Sequence, residues 1–555
     1  MCGIYAIFGS YDRQEAIECA ETVQHRGPDN TVYCSVPHGF LGFHRLSIMD
    51  TSTTGNQPFC GSTWTLMCNG EIYNADTLRD EYNLQTVSRS DCEVLFQLLE
   101  QKKLSFQELI QKIYGVYSIV AIEKTQLQSN EPTGSIRVHI ARDPVGVRPL
   151  YWVYTDTNLV IASEPCALKK YGSLVCAFAP DSAVCVSIDA NGRPSQEIVT
   201  LKVPTLCVPF PSTISNLQNA VDIVRTVLEK VVKCRLTSDR PIACFLSGGV
   251  DSSSVAALVA KFSHDPIHTF SIGLEGSTDL IYARSVAKHL GTIHHEIIKT
   301  EQDFIDAVPG VIRAIQSYDV TTVRASTPMY LLSQHIATTT DFKVVFSGEG
   351  PDEVCGSYMY FHASPGANQS AEECRRLVSH MHYFDVLRSD RCTARWGLEV
   401  RVPLLGVDFI RTYWSIDSQL RVPLPRYPLV HACEHEEKEK KIEKWILRKA
   451  VEDLLPEEVC WRPKEAFSDG VSAKTRSWST VLQEYVSGKV SDEEVRDASR
   501  VYSHHTPKTK EAYWMRTLYS NYYPNMEHLI PYQWLPKWVG DVQDPSARVL
   551  HVYKQ

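Results

Sequence analysis

The 555-residue sequence predicts two folds in succession, a β-rich α+β region followed by an α/β region with a doubly wound parallel sheet. Three observations support this prediction. Short apolar runs separated by Gly, Pro, Asp and Asn fill the first 200 residues, a proline-rich stretch follows, and strand and helix patterns then alternate. A chain of this length is expected to form two or three domains, because a single hydrophobic core rarely extends so far.

The β-rich region is predicted from short apolar segments bounded by turn-forming residues. One helix is expected at Cys92–Gln101, where four apolar side chains share a face. Three prolines within residues 204–211 oppose regular structure. We therefore place a linker at 204–215 between domains 1–203 and 216–555. The expected strands are Ile4–Phe8, Phe40–Leu46, Thr63–Met67, Val116–Ile122, Val138–Ala141, Leu150–Tyr154 and Leu159–Ala162.

Beyond the linker, strands and helices alternate along the chain. This order is typical of a parallel sheet in which crossover helices cover both faces. The expected strands are Ile242–Leu246, Thr269–Gly273, Ile293–Ile298 and Lys343–Phe346. The expected helices are Val221–Val232, Ser252–Phe262, Leu280–Leu290 and Pro328–Ala337. After about residue 470 the aromatic-rich sequence favours no particular element.

Composition excludes several classes of protein. The net charge of −9 disfavours a nucleic-acid binder that neutralises phosphates. No apolar run approaches the roughly 20 residues that cross a bilayer, and the N-terminus lacks signal-peptide features, so no membrane partner is expected. The 17 cysteines include no Cys-x-x-Cys pair, which favours reduced thiols and a cytoplasmic protein. His431, Cys433 and His435 could chelate a metal, but a charge run follows them, and a solvated helix is preferred.

The second residue, Cys2, combines two chemical groups if Met1 is removed. It would then carry a thiol together with a free α-amine whose pKa lies at about 7.7–8.0. Such an amine can act as the base that converts the thiol into a nucleophilic thiolate. A cysteine at this position can also occur by chance, so the interpretation depends on the rest of the chain.

A glycine pair follows the strand predicted at Ile242–Leu246. The segment Ser247–Ser253 reads Ser-Gly-Gly-Val-Asp-Ser-Ser, and a helix is predicted to begin inside it. Gly248 and Gly249 allow the backbone to approach an anion, and the helix N-terminus offers unpaired N–H groups. Asp251 is an oxygen ligand of the kind that Mg²⁺ prefers. Because no Gly-Lys-Ser/Thr follows, the segment predicts phosphate binding without the signature of γ-phosphoryl transfer. The alternative is an ordinary glycine turn with serine N-caps.

A second loop of this kind follows the strand predicted at Lys343–Phe346. It reads Ser-Gly-Glu-Gly-Pro-Asp-Glu over residues 347–353. If both strands belong to one parallel sheet, their carboxyl ends share an edge. Asp251 and Asp352 would then bind one Mg²⁺ on a pyrophosphate, and Glu349 would serve as a general base or position a substrate.

These segments together resemble two known families. The first region is similar to class II glutamine amidotransferases at Cys2–Ile4, His25–Asp29, His44–Asp50, Asn69–Asn74 and Ser90–Glu93. The second resembles the synthetase domain of glutamine-hydrolysing asparagine synthetases at Ser247–Ser253, Tyr318–Pro328, Ser347–Val354, Arg401–Pro403 and Lys464–Gly470. The resemblance implies an N-terminal-nucleophile hydrolase sandwich of the αββα type before the parallel-sheet domain. The final 80 residues match less distinctively.

For the first domain, the resemblance implies a glutaminase. Cys2 would attack the glutamine side-chain amide, and Asn69 and the Gly70 N–H would stabilise the oxyanion, each such donor contributing about 10²–10³ in rate. Arg45 with Leu46, Ser47, Ile48 and Met49 would bind the α-carboxylate of glutamine. Glu71 and Asp91 would bind its α-amine.

For the second domain, the resemblance implies that aspartate is adenylated by ATP with Mg²⁺ and then amidated by ammonia through an internal passage. Glu349 would act on the intermediate, and Thr322 and Arg324 are weaker candidates for the acyl-adenylate site. The predicted ATP-binding residues are Leu246, Ser247, Gly248, Gly249, Asp251, Ser252, Ser253, Ile272, Ser347, Gly348 and Lys464.

Two positions depart from the family pattern. Pro351 stands where serine is usual, and Gly406 stands where aspartate is usual. Neither carries predicted chemistry. Two other interpretations remain open: a related acyl-adenylating synthetase, such as one that forms a β-lactam, and a degenerate scaffold without activity. The small-molecule partners implied are ATP, aspartate and glutamine, and the resemblance is compatible with a homodimer.

Overall fold

The structure is a computed structural model that describes residues 1–124, 134–201, 206, 212–426 and 441–550. Most of the predicted linker, 204–215, lies outside the described residues, so the domain boundaries stay a prediction. His431, Cys433 and His435 also lie outside them.

The first region is built from short strands and a few helices. The strands β1 to β12 are Gly3–Gly9, Asn30–Val36, Gly39–Arg45, Phe59–Cys60, Trp64–Ile72, Gly115–Lys124, Ile136–Arg142, Tyr151–Tyr154, Asn158–Ala162, Cys176–Ala177, Ser182–Ile188 and Val199–Leu201. The helices α1 to α4 are Arg13–Glu21, Ala75–Glu81, Asp91–Glu100 and Phe106–Lys112.

These strands form two antiparallel sheets that pack face to face. Their strand orders are β10-β8-β9-β1-β3-β2 and β12-β11-β7-β6-β5-β4. Apolar side chains of both sheets meet between them, among them Phe8, Phe43, Val120 and Ile140. Helix α1 packs against β1 and β3 of one sheet, and α3 packs against β5 of the other. The predicted αββα sandwich is confirmed.

The second region alternates strands and helices. The helices α5 to α20 are Leu217–Lys233, Val250–Phe262, Thr278–Leu290, Glu301–Ile315, Val320–Thr339, Pro351–Val354, Ala367–His380, Asp385–Ala394, Val407–Trp414, Trp445–Ala450, Glu457–Cys460, Phe467–Gly470, Trp478–Ser487, Asp492–Arg496, Ala498–Val501 and Lys510–Tyr522. The strands β13 to β19 are Ile242–Phe245, His268–Leu274, Ile293–Lys299, Val344–Phe346, Glu399–Arg401, Leu424–Pro425 and Lys441–Ile442.

Five of these strands form a parallel sheet in the order β15-β14-β13-β16-β17. Helices cover both of its faces. Val255 of α6 and Val286 of α7 belong to one buried cluster, and Ile312 of α8 and Met329 of α9 belong to the other. The doubly wound sheet is confirmed. Since β13 and β16 are neighbours, the two predicted loops leave the same edge of the sheet.

Two sequence-based expectations about elements were incomplete. Several strands were missed, among them β2, β11 and β17; β2 is only half-buried and carries polar residues, which weakens the apolar signal. The helix predicted to begin at Pro328 begins at Val320, because the Asp319 carboxylate accepts the Thr322 N–H and caps it. Pro328 lies inside this helix.

Every cysteine in the described part of the chain is a free thiol. No helix there is long and apolar enough to cross a bilayer. The same residues contain no group of three or more His, Cys, Asp or Glu side chains arranged to hold a metal ion.

Candidate functional site

Cys2 directly precedes β1 and contacts strand β5 and the 3₁₀ turn at Gln24–Arg26. The Cys2 N–H donates to Asn69 Oδ1 at 2.8 Å, and Arg26 Nε donates to the Cys2 carbonyl at 3.0 Å. The thiol lies 3.9 Å from the Leu46 carbonyl. Burial raises the pKa of this thiol, so a nearby base is needed to form the thiolate.

Met1 precedes Cys2 and is almost completely buried, at 2% exposure. Its side chain belongs to the same apolar cluster as Leu46, Ile48 and Val147. The Met1 amine lies 3.7 Å from Glu399 Oε2 of β17, and burial lowers the pKa of this amine. While Met1 is present, Cys2 carries an amide in place of the free amine that would act as the base in the predicted mechanism.

Asn69 and Gly70 lie side by side on β5, opposite Ser118 and Tyr117 of β6. Asn69 is fully buried, and within the described residues its Nδ2 has no hydrogen-bond partner. A Cβ at Gly70 would come within 2.3 Å of the Val116 carbonyl, so only glycine fits. An unpaired amide next to the Cys2 backbone is suited to receive a developing oxyanion.

Arg45, predicted to bind a carboxylate, is buried and engaged by its own loop. Its Nη1 donates to the Ser52 carbonyl at 2.7 Å and to Asn56 Oδ1 at 2.8 Å. Its Nη2 donates to the Met49 carbonyl at 3.1 Å and to the Asp50 carbonyl. In this structure the guanidinium therefore shapes the loop after β3, which contains Leu46, Ser47, Ile48 and Met49, and its terminal N–H groups are used there.

Glu71 and Asp91, predicted to bind an amine, are buried close to each other and to a third carboxylate, Glu399. Asp91 Oδ2 accepts the Ile72 N–H at 2.6 Å, and Glu71 Oε2 lies 3.3 Å from Arg401 Nη2. Burial raises the pKa of Asp91 to about 6 and raises the pKa of Glu71 well above its ordinary value, with Glu399 adding to both effects. A cation in this place would restore their ionised forms.

Buried ion pairs connect this site to the second region. Arg26 Nη1 lies 2.6 Å from Glu164 Oε1 and 2.8 Å from Asp390 Oδ2 of α12. Arg401 of β17 contacts Glu71, as described above. The surroundings of Cys2 are therefore completed by side chains from the parallel-sheet region, which a pattern along the chain does not reveal.

The two predicted phosphate loops meet at the carboxyl edge of the parallel sheet and line one cavity. Ser247 Oγ and Ser252 Oγ are 3.0 Å apart across the first loop. Phe270, Met329 and Leu332 add an apolar wall. The predicted residues that line this cavity are Leu246, Ser247, Gly249, Asp251, Ser252, Ile272, Ser347, Gly348, Glu349, Asp352 and Lys464.

Gly248 and Ser253 were predicted to bind ATP and do not line the cavity directly. Gly248 has φ +71°, and a Cβ there would lie 2.4 Å from the Ala283 N atom, so it shapes the turn. Ser253 is fully buried, and its Oγ has no partner among the described residues. A Cβ at Gly348 would lie 2.4 Å from the Ser252 N atom, so the two loops touch through their backbones.

The two carboxylates predicted to share a magnesium ion are joined by a lysine. Lys444 Nζ, at the start of α14, lies 2.5 Å from Asp251 Oδ2 and 2.5 Å from Asp352 Oδ1. Lys464 also contacts Asp352. Burial opposes ionisation, but both lysines lower the pKa of Asp352, and both aspartates raise the pKa of Lys444. The shared magnesium ion stays a prediction, and nothing in the sequence indicated Lys444, which pairs with both carboxylates.

The spacing of these carboxylates nevertheless fits one cation. A single ammonium bridges both at hydrogen-bond distance, and Asp251 Oδ1 is buried without a partner among the residues described. An oxygen atom of this kind is available to a hard cation. A metal would take these oxygens only when Lys444 moves away from them.

Glu349 faces an arginine that sequence reasoning missed. Arg388 of α12 donates to both Glu349 oxygens, at 3.0 and 2.8 Å, and to Asp385 Oδ1 at 2.9 Å. Burial raises the pKa of Glu349 and Arg388 opposes that rise. No glycine, spacing or periodicity near Arg388 signals this role, since the pairing depends on the packing of α12 against the sheet.

Thr322 and Arg324 do not line the cavity, and their role in acyl-adenylate binding stays a prediction that this geometry does not favour. Thr322 Oγ1 donates to Asp319 Oδ2 at 2.8 Å. Arg324 is paired with Glu511 and Asp544 on the far side of α9. The residues of this segment that line the cavity are Thr321 and Ala325, which lie four positions apart on one face of the helix.

Comparison with known proteins assigns the family. A model described as asparagine synthase matches residues 223–375 and 363–528, and a glutamine amidotransferase domain model matches residues 1–196. The glutamine-hydrolyzing asparagine synthetase of Gallus gallus is 38% identical, with 100% of this chain and 99% of that protein covered. The Homo sapiens enzyme of that name is 36% identical with the same coverage. The chain belongs to the asparagine synthetase family.

Solved structures of other enzymes resemble this family member only in part. The glutamine PRPP amidotransferase from B. subtilis has a TM-score of 0.29 at 16% identity, covering 54% of this chain and 81% of that one. The NMN synthetase from Francisella tularensis has a TM-score of 0.24 at 11% identity, covering 56% of this chain and 96% of that one. With scores this low, the fold assignment rests on the strand orders themselves.

The structure accommodates both departures from the pattern usual in asparagine synthetases. Pro351 is the first residue of α10, where a missing N–H costs no helical hydrogen bond. Gly406 precedes α13, and a Cβ there would lie 3.0 Å from the Pro403 carbonyl and 3.1 Å from Arg235 Nη2. Pro351 directly precedes Asp352, but neither Pro351 nor Gly406 lines the cavity itself.

Proposed function

We propose that this protein converts L-aspartate, L-glutamine and ATP into L-asparagine, L-glutamate, AMP and pyrophosphate. The observation that carries the proposal is the combination of sites on one chain. Cys2 lies beside an unpaired amide, Asn69 Nδ2, in the first region, and two glycine loops with paired acids and lysines form the cavity of the second. Membership of the family supports the same reaction.

At the first site, the thiolate of mature Cys2 attacks the side-chain amide carbon of glutamine. The carbonyl electron pair moves to the oxygen, which the Asn69 amide receives. The α-amine of Cys2 takes the thiol proton and returns it to the leaving nitrogen, which departs as ammonia. Water then cleaves the thioester and releases glutamate. Glu71 and Asp91 bind the α-ammonium of the substrate in this scheme.

At the second site, the β-carboxylate of aspartate attacks the α-phosphorus of ATP. The bond between the α-phosphorus and its bridging oxygen breaks, and pyrophosphate leaves with that electron pair. Backbone N–H groups at the start of α6, with Ser247, Ser252 and Lys464, balance the charge of the phosphates. The apolar wall that includes Ile272 and Met329 accepts the adenine.

Ammonia then attacks the carbonyl carbon of the acyl-adenylate, and AMP leaves with the electron pair of the broken C–O bond. Glu349 accepts a proton from the attacking nitrogen, and its raised pKa suits it to this task. Arg388 keeps the carboxylate in place through two hydrogen bonds.

The second site also fits Mg²⁺. Asp251 and Asp352 would hold the ion, and it would neutralise charge on the pyrophosphate group. Displacement of Lys444 from these two carboxylates would bring its ammonium close to the phosphates. The free thiols among the described residues favour action in a reducing compartment such as the cytoplasm. A homodimer remains an expectation of the resemblance.

The proposal is tested with the pure full-length protein, ATP, Mg²⁺, aspartate and glutamine labelled with ¹⁵N in its side-chain amide. We expect labelled asparagine and AMP in equal amounts. AMP without asparagine would indicate another acyl-adenylating synthetase, and the absence of both products from folded protein would overturn the proposal.

A further inference from the structure

The chain continues beyond α20 as a segment that crosses the second region. We call residues 530–550 the C-terminal strap. Its side chains are buried at Trp534, at 7% exposure, and at Leu550, at 3%. The asparagine synthase family model ends its match at residue 528, so the strap lies beyond that match. The strap reaches the wall of the nucleotide cavity at three places.

The first contact is made at Trp534, next to the start of α9. The Trp534 N–H donates to Asp319 Oδ1 at 2.8 Å, and Thr321 Oγ1 donates to the Trp534 carbonyl at 3.2 Å. Asp319 caps α9, and Thr321 lines the cavity. The strap therefore fixes the end of the helix that faces the substrates.

The second contact is made at Asp544. Arg324 Nη1 and Nη2 each donate to one Asp544 oxygen at 2.9 Å, and the Ser546 N–H donates to Asp544 Oδ1 at 2.8 Å. Arg324 is almost fully buried, at 2% exposure, and also pairs with Glu511. A two-pronged pair of this kind fixes both direction and position. Arg324 thus binds the strap, where a substrate had been expected.

The third contact reaches the loop that carries Lys464. Ser546 Oγ donates to Asp469 Oδ1 at 2.8 Å, and Arg548 Nη2 donates to Glu465 Oε1 at 2.5 Å. Arg548 Nη1 also donates to the Ala473 carbonyl at 3.0 Å. The strap therefore contacts two acidic residues that flank this loop. Glu465 directly follows Lys464, and Asp469 lies on α16.

The Lys464 loop depends on such side-chain contacts because residues 463–466 belong to no helix or strand. The Glu465 carboxylate accepts hydrogen bonds from Arg548, from Arg462 Nη2 at 2.7 Å and from Thr278 Oγ1 at 2.8 Å. These donors lower the pKa of Glu465 against the effect of burial. Without Arg548, Glu465 loses one of the contacts that hold it in place, and Glu465 directly follows Lys464, the lysine proposed to face the phosphates.

We propose that Ser546 and Arg548 of the C-terminal strap are positioning residues for nucleotide binding, acting through Glu465 and Asp469 on the Lys464 loop. They touch no substrate. The inference rests on the proposed function of the cavity as an ATP site, and it assigns part of that site to a segment outside the matched family model.

The main variant is Arg548→Ala, with Arg548→Lys as the conservative variant. Arg500→Ala is the matched control, because Arg500 is exposed in the same part of the chain and pairs only across one helical turn with Asp497. Two readouts are used: the affinity for MgATP measured by calorimetry, and the KM for ATP and kcat of ammonia-dependent asparagine formation. Glutaminase activity reports whether the rest of the chain is intact.

We expect Arg548→Ala to weaken MgATP binding and raise the KM for ATP by about 10–100-fold, with glutaminase activity unchanged. Arg548→Lys restores part of the loss, because one ammonium reaches Glu465 without the second hydrogen bond to Ala473. The double variant Glu465→Gln, Arg548→Ala is expected to bind MgATP no more weakly than Glu465→Gln alone, since the arginine acts through that carboxylate.

Wild-type affinity for MgATP in Arg548→Ala would overturn the inference. So would an equal loss of glutaminase activity, which indicates general unfolding, or additive losses in the double variant. If the wild-type protein binds MgATP but makes no asparagine, the proposed function fails, and the affinities of the variants still decide the role of the strap.

Discussion

The two candidate sites of this chain differ in the partners of their buried polar and charged side chains. Around Cys2, ion pairs of Arg26 and Glu71 lie at the edge of the site. Backbone carbonyls hold Arg45, and one amide, Asn69 Nδ2, is left open among the described residues. In the cavity of the parallel sheet, ion pairs lie inside the site, as between Lys444 and both Asp251 and Asp352. The open amide of the first site would suit a developing oxyanion, whereas a substrate of the second site would have to replace internal ion pairs.

The variant Cys2→Ala tests whether the two sites act independently, and it has the largest expected effect. We expect glutamine hydrolysis and glutamine-dependent synthesis to fall by more than about 10³-fold, because the nucleophile is gone. Ammonia-dependent synthesis should remain, because the second cavity is intact. Both rates are measured by asparagine and glutamate release. Cys60→Ala, at an exposed cysteine, is the control. Loss of both activities in folded Cys2→Ala would contradict the separation.

The reverse experiment is Glu349→Gln. It should lower asparagine formation from either nitrogen source by about 10²–10⁴-fold, since the amide cannot accept the proton. Glutaminase activity should be unchanged. Glu493→Gln, at an exposed position, is the control. Unaltered asparagine formation would remove Glu349 from the mechanism.

Lys444→Met tests the internal ion pairs of the second site. Removal of one partner from a buried charge cluster costs about 3–5 kcal/mol, so the free energy of unfolding should fall when Mg²⁺ is absent. Added Mg²⁺ should recover part of it by binding the exposed carboxylates. Denaturant unfolding with and without Mg²⁺ measures both effects, with the exposed Lys449→Met as control. Equal stability with and without Mg²⁺ would show that these carboxylates do not form a metal site.

The smallest effect concerns the pH dependence of the first site. Burial raises the pKa of Asp91 to about 6, so its carboxylate becomes protonated as the pH falls through that value. An uncharged Asp91 cannot pair with the α-ammonium of glutamine. The kcat/KM for glutaminase should therefore drop by up to about tenfold per pH unit below pH 6.

Asp91→Asn supplies the control for this profile. The variant should have a low kcat/KM at every pH and should lack the break near pH 6, because no proton remains to be bound at this position. A break of the same size in the variant would assign it to another group.

The sequence predicted the positions of residues that directly follow a strand of the parallel sheet. The Ser247–Ser253 and Ser347–Asp352 loops could be placed together because each follows a strand of a parallel sheet, and adjacent parallel strands end at one edge. Sequence reasoning failed for Lys444 and Arg388, whose partners are distant in sequence and whose neighbours carry no glycine or spacing signal. It also did not foresee the pairing of Arg324 with Asp544, which is 220 residues away.

The burial of Met1 has a consequence for the timing of synthesis. Its amine pairs with Glu399, a residue that emerges only after the whole first region and most of the parallel sheet have been made. At about 5–20 residues per second, translation to that point takes on the order of 20–80 s. An enzyme that removes Met1 would need to act within this interval, because the docking of β17 buries the N-terminus. Exposure of the proposed nucleophile would therefore depend on how the rate of Met1 removal compares with the folding rate of a segment far along the same chain.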